Sequence, residues 1–421
     1  MVQRIAILPE VYLTAATTEK FKTECFSVNL LRPLSREEAS LNALVGGVLL
    51  RGSRRHPDLT AVSTALEELY GAEIGNVIRK RGEVQCIGLY ADTLCDEAVG
   101  EPIFAQTAAM TAELLLDPVT EGGVFRTDYV EQEKENLIRS IRARMNGKRA
   151  YAHSQMTKAM FRNEAFGVDR LGEEEDVIPI TPESLFAHYK KLLATSRVEI
   201  CYTGRKDPET VAAILRDALA ALPRETCVPV GTVFVPRAEK VQEIVERMDV
   251  TQGKLCMGFR AGRSVLDEKW PATALLNAVF GGGLTSKLFA NVREKLSLCY
   301  YARSAPDKYK GVLSVSSGIE FEKYEVAKAA ILEQLDACRR GEITETELRW
   351  AKDQISLALR TLGDSPTQLD DFHLGNAVIE RKVTPEELCR RNEALTVADL
   401  AEAAREITLD TVYFLRGEEE Q

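Results

Sequence analysis

The run Leu41-Asn42-Ala43-Leu44-Val45-Gly46-Gly47 returns much later as Leu276-Asn277-Ala278-Val279-Phe280-Gly281-Gly282, each time after a strand and an acidic helix start. A second echo links Thr181, Leu185 and the string Val198 to Gly204 with Thr396, Leu400 and the string Thr411 to Gly417. Matches that recur in the same order predict two copies of one domain. Each copy reads strand, helix, strands, helices, strand, the element order of an α+β unit. The expectation is two homologous α+β domains, each a largely antiparallel sheet with its helices on one face. Pro223, Pro229 and Pro236 punctuate a stretch that resists helix or central strand. Residues 1–222 are therefore the first domain, 223–240 a linker and 241–421 the second.

Local signals fill in this frame. Phe21 to Leu31 alternates as a strand does, and Ser35-Arg36-Glu37-Glu38 is a capping box that opens a helix. That helix runs through Leu50 and stops near Gly52. Gly46 and Gly47 inside it cost roughly 1 kcal/mol each relative to Ala, so something must need the backbone close there. Further helices are expected over 59–69, 102–116 and 129–145, with strands at 75–79 and 84–90. Thr181-Pro182 and Asp207-Pro208 are cap-then-proline helix starts on either side of a strand at 198–202. The second half repeats the theme with strands at 255–260, 312–316 and 411–415. Its helices are expected over 270–280, 324–339, 344–362, 385–391 and 397–407.

Composition narrows the function classes. The 421 residues are 45% hydrophobic and carry a formal net charge of -10, which gives nucleic-acid binding no electrostatic support. The nine cysteines are odd in number and contain no C-x-x-C pair, the pattern of reduced thiols in a cytoplasmic protein. Met1-Val2-Gln3-Arg4-Ile5 lacks the layout of a signal peptide. The longest apolar run, Leu41 to Leu50, is about half of a membrane span. No membrane role is expected.

The densest stretch is Phe280-Gly281-Gly282-Gly283-Leu284-Thr285-Ser286-Lys287-Leu288. Three glycines free the backbone for φ > 0 and for close approach by another chain, and Thr285 or Ser286 can cap a helix. Leu284, Leu288, Phe289 and Val292 then share one helical face. Arg293 ends the run, and seven residues later Tyr300 opens a β-like segment, Cys299 to Ala302. A glycine loop before a helix can bind an anion, but the nucleotide loop ends in Gly-Lys-Ser/Thr. Here Ser286-Lys287 is followed by leucine, which argues against a nucleotide.

Gly-Gly-x-x-Ser-Lys-Leu-Phe followed by Arg293-Glu294-Lys295-x-x-Leu298-x-Tyr300 resembles the second domain of the pitrilysin/insulinase metallopeptidases, the inverzincins. That family includes the mitochondrial processing peptidase subunits. The resemblance covers nearly the whole chain and is strongest over 275–345. It implies a clamshell of two domains in which Arg293 and Tyr300 bind the scissile carbonyl and its tetrahedral intermediate, with Gly281, Gly282 and Gly283 against the substrate. Two fixed donors suit an oxyanion.

The zinc half of the family's chemistry is missing. The family's first domain carries H-x-x-E-H on a helix, two ligands and a general base. Setting the family's following Phe-Lys-Gly-Thr on Leu50-Arg51-Gly52-Ser53 puts Ala43 and Gly47 at the histidine positions and Gly46 at the base. His56, His153, His188 and His373 include no pair at ligand spacing. The helix that holds the family's third ligand offers Glu131, Glu133 and Glu135, which without histidines read as a charged helix face. No metal and no cofactor are expected.

The resemblance implies that such a zinc-less chain works beside a zinc-bearing homologous subunit. That pairing would be a heterodimer, with a homodimer as the alternative, acting on a peptide. Arg293 and Tyr300 would complete the partner's site in trans. Leu49-Leu50-Arg51-Gly52-Ser53 and Leu66-Glu67-Glu68-Leu69-Tyr70-Gly71-Ala72 further resemble a zinc-less bacterial branch associated with 5-aminopentanol modification of elongation factor P. The rival reading is a scaffold with no part in proteolysis, holding an extended peptide at a sheet edge. A self-sufficient serine or cysteine hydrolase lacks a local motif such as G-x-S-x-G.

Overall fold

The computed structural model describes residues 2–418 and divides into two compact units. The first gathers the chain up to Arg142 with Val168–Gly231 and Leu362–Lys382. The second gathers Ala143–Gly167, Thr232–Thr361 and the chain from Val383. Residues 222–241 form neither helix nor strand.

The strands of the first unit are β1 (Val2–Leu8), β2 (Val11–Thr17), β3 (Thr23–Pro33), β4 (Glu73–Arg81) and β5 (Val84–Leu94). A short hairpin of β6 (Thr120–Glu121) and β7 (Val124–Phe125) precedes β8 (Arg197–Gly204). The main sheet has the order β1-β2-β8-β3-β5-β4. Every neighbouring pair is antiparallel except β2 beside β8. The second unit uses β9 (Gln242–Arg247), β10 (Gly253–Arg260), β11 (Cys299–Asp307), β12 (Val312–Ile319) and β13 (Thr408–Arg416). Their order is β11-β12-β10-β13-β9, again antiparallel apart from one pair, β13 beside β9. Thus β4-β5-β3-β8-β2 and β11-β12-β10-β13-β9 follow one plan, with β1 as an addition. The α+β duplication is one of topology.

Local chemistry fixes the equivalent parts in both copies. Thr181 and Thr396 each form a full capping box, with Ser184 and Asp399, at the helix that feeds β8 or β13. The box at Ser35 is only half made. Ser35 accepts from the Glu38 N–H, while the Glu38 carboxylate turns away to Arg32 and Lys191. Along β3, Phe26, Val28 and Leu30 point into the main core beside Leu89 of β5 and Ile200 of β8. Helices Arg36–Leu49, Ile103–Leu116 and Pro182–Thr195 cover that face with Leu44, Val48, Phe104, Leu185 and Leu192. Each such side chain contributes roughly 1.5–3 kcal/mol by leaving water. The second unit builds its core the same way around Leu255, Met257, Phe259, Leu276 and Phe414.

The opposite face of each sheet is also apolar, and one helix covers each. Pro366–Val378, from late in the chain, lays Leu374 and Val378 over Leu31, Cys86 and Cys201 of the first sheet. Lys148–Met160, from the middle of the chain, lays Ala152, Met156 and Met160 over Cys256, Tyr413 and Leu415 of the second. The expected one-faced layering thus describes the main cores and is completed by these two helices. Charge fixes their placement. Buried Asp370 accepts from Ser27 and, at 2.6 Å, from Arg79. Arg81 pairs with Asp371 and Arg197 with Glu380. Beyond the other helix, Glu164 holds Arg260 at 2.6 Å, and Arg260 also reaches Asp410 at 2.8 Å.

Two buried histidines lie in the first unit. His188 meets Asn42 Oδ1 at 2.7 Å, and Nε2 of His373 has no hydrogen-bond partner. Burial pushes both rings down to about 4 from an ordinary value near 6.5. The folded state therefore resists protons that the unfolded chain accepts, so the contribution of these two rings is constant above pH 6.5 and is lost as pH drops towards 4. Each ring contributes a slope of up to about 1.4 kcal/mol per pH unit in that window. Urea titrations across it should show the fall, and His373→Leu should remove its share. Gly88 supplies a second test. It sits at φ +154°, and a Cβ there would meet the Val28 carbonyl oxygen at 1.9 Å. Gly88→Ala should cost about 3 kcal/mol or more in the same assay.

Candidate functional site

Helix Trp270–Phe280 ends at Gly281, whose φ of -155° is negative. Among Gly281, Gly282 and Gly283 none takes positive φ, contrary to the sequence expectation. The missing Cβ is what matters. At Gly281 it would lie 2.6 Å from Ser304 Oγ and 2.8 Å from Ser304 N. That gap lets the Gly281 carbonyl accept from the Ser304 N–H at 2.8 Å, so the loop seals part of the free edge of β11. Gln354 packs against Gly283 and donates to the Gly282 carbonyl at 3.1 Å. Lys287 is buried and pairs with Glu347 at 2.9 Å, so its charge is committed inside the fold. Ser286 bridges the turn, donating to the Gly283 carbonyl at 2.6 Å and accepting from Phe289 N at 3.4 Å. Leu288 and Val292 are buried as expected, whereas Leu284 is 76% exposed and leaves the apolar face.

From Leu288 to Lys295 the helix is wound as a π-helix, a form found in short pieces and often at functional sites. Ser297, at φ +49°, then turns the chain back, and the Leu298 N–H closes on the Val292 carbonyl at 3.1 Å. This geometry brings Arg293 and Tyr300 to one cavity of about 370 Å³, shared with Glu294, Ser297, Leu298, Cys299 and Glu320. Arg293 stacks 4.6 Å from the Phe289 ring centroid, with Nε 3.5 Å from Glu294. Tyr300 is 63% exposed. Burial raises the Cys299 thiol, opposed by its bond with Ser317 and by the Arg293 charge. Sequence spacing pairs Arg293 with Tyr300 but misses Glu320, which stands just past the end of β12. The three glycines do not line the cavity.

The corresponding helix of the first unit is closed differently. Ala43 is buried, and a Cβ on Gly46 would touch Asn76 Cβ at 3.0 Å. A Cβ on Gly47 would stand 2.7 Å from Glu133 Oε2. Glu133 is not part of an open charged face, as the sequence suggested. Its side chain is 16% exposed, and its Oε1 accepts from Arg51 Nε at 2.6 Å and from Asn136 at 3.0 Å. Zinc needs His, Cys, Asp or Glu donors gathered around one point. Ala43, Gly46 and Gly47 offer none, and among the described residues no three such side chains gather. These residues do not fit a zinc ion.

The histidines are engaged elsewhere. His56 Nδ1 meets Glu113 Oε1 at 2.8 Å, and Ser53 Oγ donates to the same oxygen. That is the wrong order for nucleophilic catalysis, since the serine bonds the carboxylate rather than the imidazole. His153 lies 3.2 Å from Ser314. All nine cysteines are unpaired, and among the described residues no helix is long and apolar enough to cross a membrane.

Residues 179–355 match the family described as the peptidase M16 inactive domain. The chain is 33% identical over 407 residues to the probable inactive metalloprotease YmfF of Bacillus subtilis (strain 168), covering 96% of this chain and 95% of that protein. It is 24% identical over 237 residues to the uncharacterized zinc protease YmxG of the same strain, covering 56% of this chain and 57% of that protein. The crystal structure of a conserved protein from Enterococcus faecalis V583 is similar with a TM-score of 0.93 at 26% identity, covering 100% of this chain and 99% of that one. The bare first-unit helix yields a direct expectation. After dialysis against excess zinc and desalting, elemental analysis should find far less than one zinc per chain. Stoichiometric zinc would contradict it.

Proposed function

The chain belongs to the M16 peptidase family, and on that premise we propose that it is a non-catalytic subunit completing the peptide site of a zinc-bearing homologue. The observation that carries this reading is an asymmetry. Arg293 and Tyr300 open on one cavity, while the helix that would supply histidines presents Ala43, Gly46 and Gly47. A guanidinium and a phenol at one cavity wall suit charge that develops on a carbonyl oxygen under attack. Such donors speed acyl transfer because they favour the transition state over the bound peptide. Arg293 and Tyr300 are placed here as transition-state donors, and this reading leaves activation of the attacking water to another chain. The zinc and its activated water belong, in this reading, to the partner, with the peptide held in a chamber between the subunits.

Gly281, Gly282 and Gly283 serve the same site. Their packing on Ser304 and Gln354 supports a role in anchoring the segment that carries Arg293. The scaffold alternative, peptide addition at a sheet edge, is weakened at β11, where Gly281 already takes the Ser304 N–H. Unpaired thiols at all nine cysteines support a cytoplasmic location. A zinc-protease relative and an inactive-metalloprotease relative in one Bacillus strain support a two-chain arrangement.

Peptide cleavage by a zinc-bearing homologue from the same genome tests the proposal. Adding this chain should raise kcat, and Arg293→Ala with Tyr300→Phe should lower it by about 100-fold or more while leaving association intact. A partner equally active with the variant, or without this chain, would sink the idea.

A further inference from the structure

We infer that Arg51 is an internal counter-cation at the position the family gives to zinc, which turns that position into a metal-free strut. Three observations meet there. The Glu133 carboxylate is folded into the space above Gly47, with Oε2 2.7 Å from where a Cβ would stand. Its other oxygen is saturated by Arg51 Nε at 2.6 Å and Asn136 Nδ2 at 3.0 Å. Both members of the ion pair are only 16% exposed, so neither charge is left to water.

A carboxylate drawn this far from solvent needs a nearby positive charge. A metal ion is one solution and a planar guanidinium is another. Arg51 stands just beyond helix Arg36–Leu49, and Glu133 and Asn136 stand one turn apart on helix Thr127–Asn146. The pair therefore ties those two helices together, as shared ligation would. The Arg51 guanidinium also lies 6.0 Å from the centroid of Tyr129, on the first turn of the second helix, and Tyr129 donates to the Pro57 carbonyl at 2.9 Å. The strut accounts for a glycine that helix propensity disfavours. Gly47 has no positive φ to explain it. It is needed because any side chain there would displace Glu133.

Urea unfolding of the full chain tests this through two cycles and one metal arm. Gly47→Ala should lower the midpoint in the natural chain and raise it when Glu133 is already Ala, where only the helix propensity of alanine remains. An equal loss in both backgrounds would overturn the spatial argument. Arg51→Met and Glu133→Gln should each lower the midpoint, with the double variant losing clearly less than the sum, and Arg51→Lys should recover part of the loss. Strictly additive losses would overturn the pairing. Treatment of the natural chain with EDTA should leave its midpoint unchanged. A fall on chelation would mean that a metal holds these helices, whatever the variants do.

Discussion

The constraint on which this structure depends is that each sheet is buried on both faces. An antiparallel sheet with one wet face needs helices on one side only. Here β3 buries Phe26, Val28 and Leu30 on one side and Cys25, Ser27, Asn29 and Leu31 on the other. Both must leave water. Each unit answers with a helix taken from a distant part of the chain, 148–160 for the second and 366–378 for the first. Asn29 Nδ2 donates to Ser27, and Ser27 and Arg79 both donate to Asp370, which limits the cost of burying these groups beneath that helix although Asn29 Oδ1 has no partner.

The same duplicated plan has been put to opposite uses in its two copies. In both, a helix with paired glycines near its end lies beside an edge strand, and in both the glycines remove side chains from a crowded contact. In the second copy Gly281 lets a carbonyl cap Ser304, and the chain goes on through a π-helix to present Arg293 and Tyr300. In the first copy Gly46 and Gly47 admit Asn76 and Glu133. One corner keeps side chains that reach a cavity. The other has filled itself in.

Much of this was legible because it rests on local rules. Cap-and-proline signals located the helices that start at Pro182 and Pro208, and alternation found β3. The echo between residues 41–47 and 276–282 announced the repeated sheet plan, whereas that Arg293 and Tyr300 share one cavity is read from the fold alone. Absence of ligands was legible too, since Ala43, Gly46 and Gly47 carry no donor atoms in any fold. Other features left little local trace. Helix Pro366–Val378 has no one-sided apolar stripe, because buried Asp370 and His373 share its surface with Phe372, Leu374 and Val378. Periodicity cannot flag a helix whose partner surface is itself mixed.

By itself, then, the sequence determined the repeated element order, the family likeness and the missing metal donors. All of these depend on residue identity and short spacing. Only the tertiary structure decided which helix covers which second face, that Glu320 joins the cavity, that Lys287 is spent on Glu347, and that Glu133 is held by Arg51. Those outcomes join residues far apart in the chain, and they follow from which apolar surface and which buried charge had to be met where the chain came together.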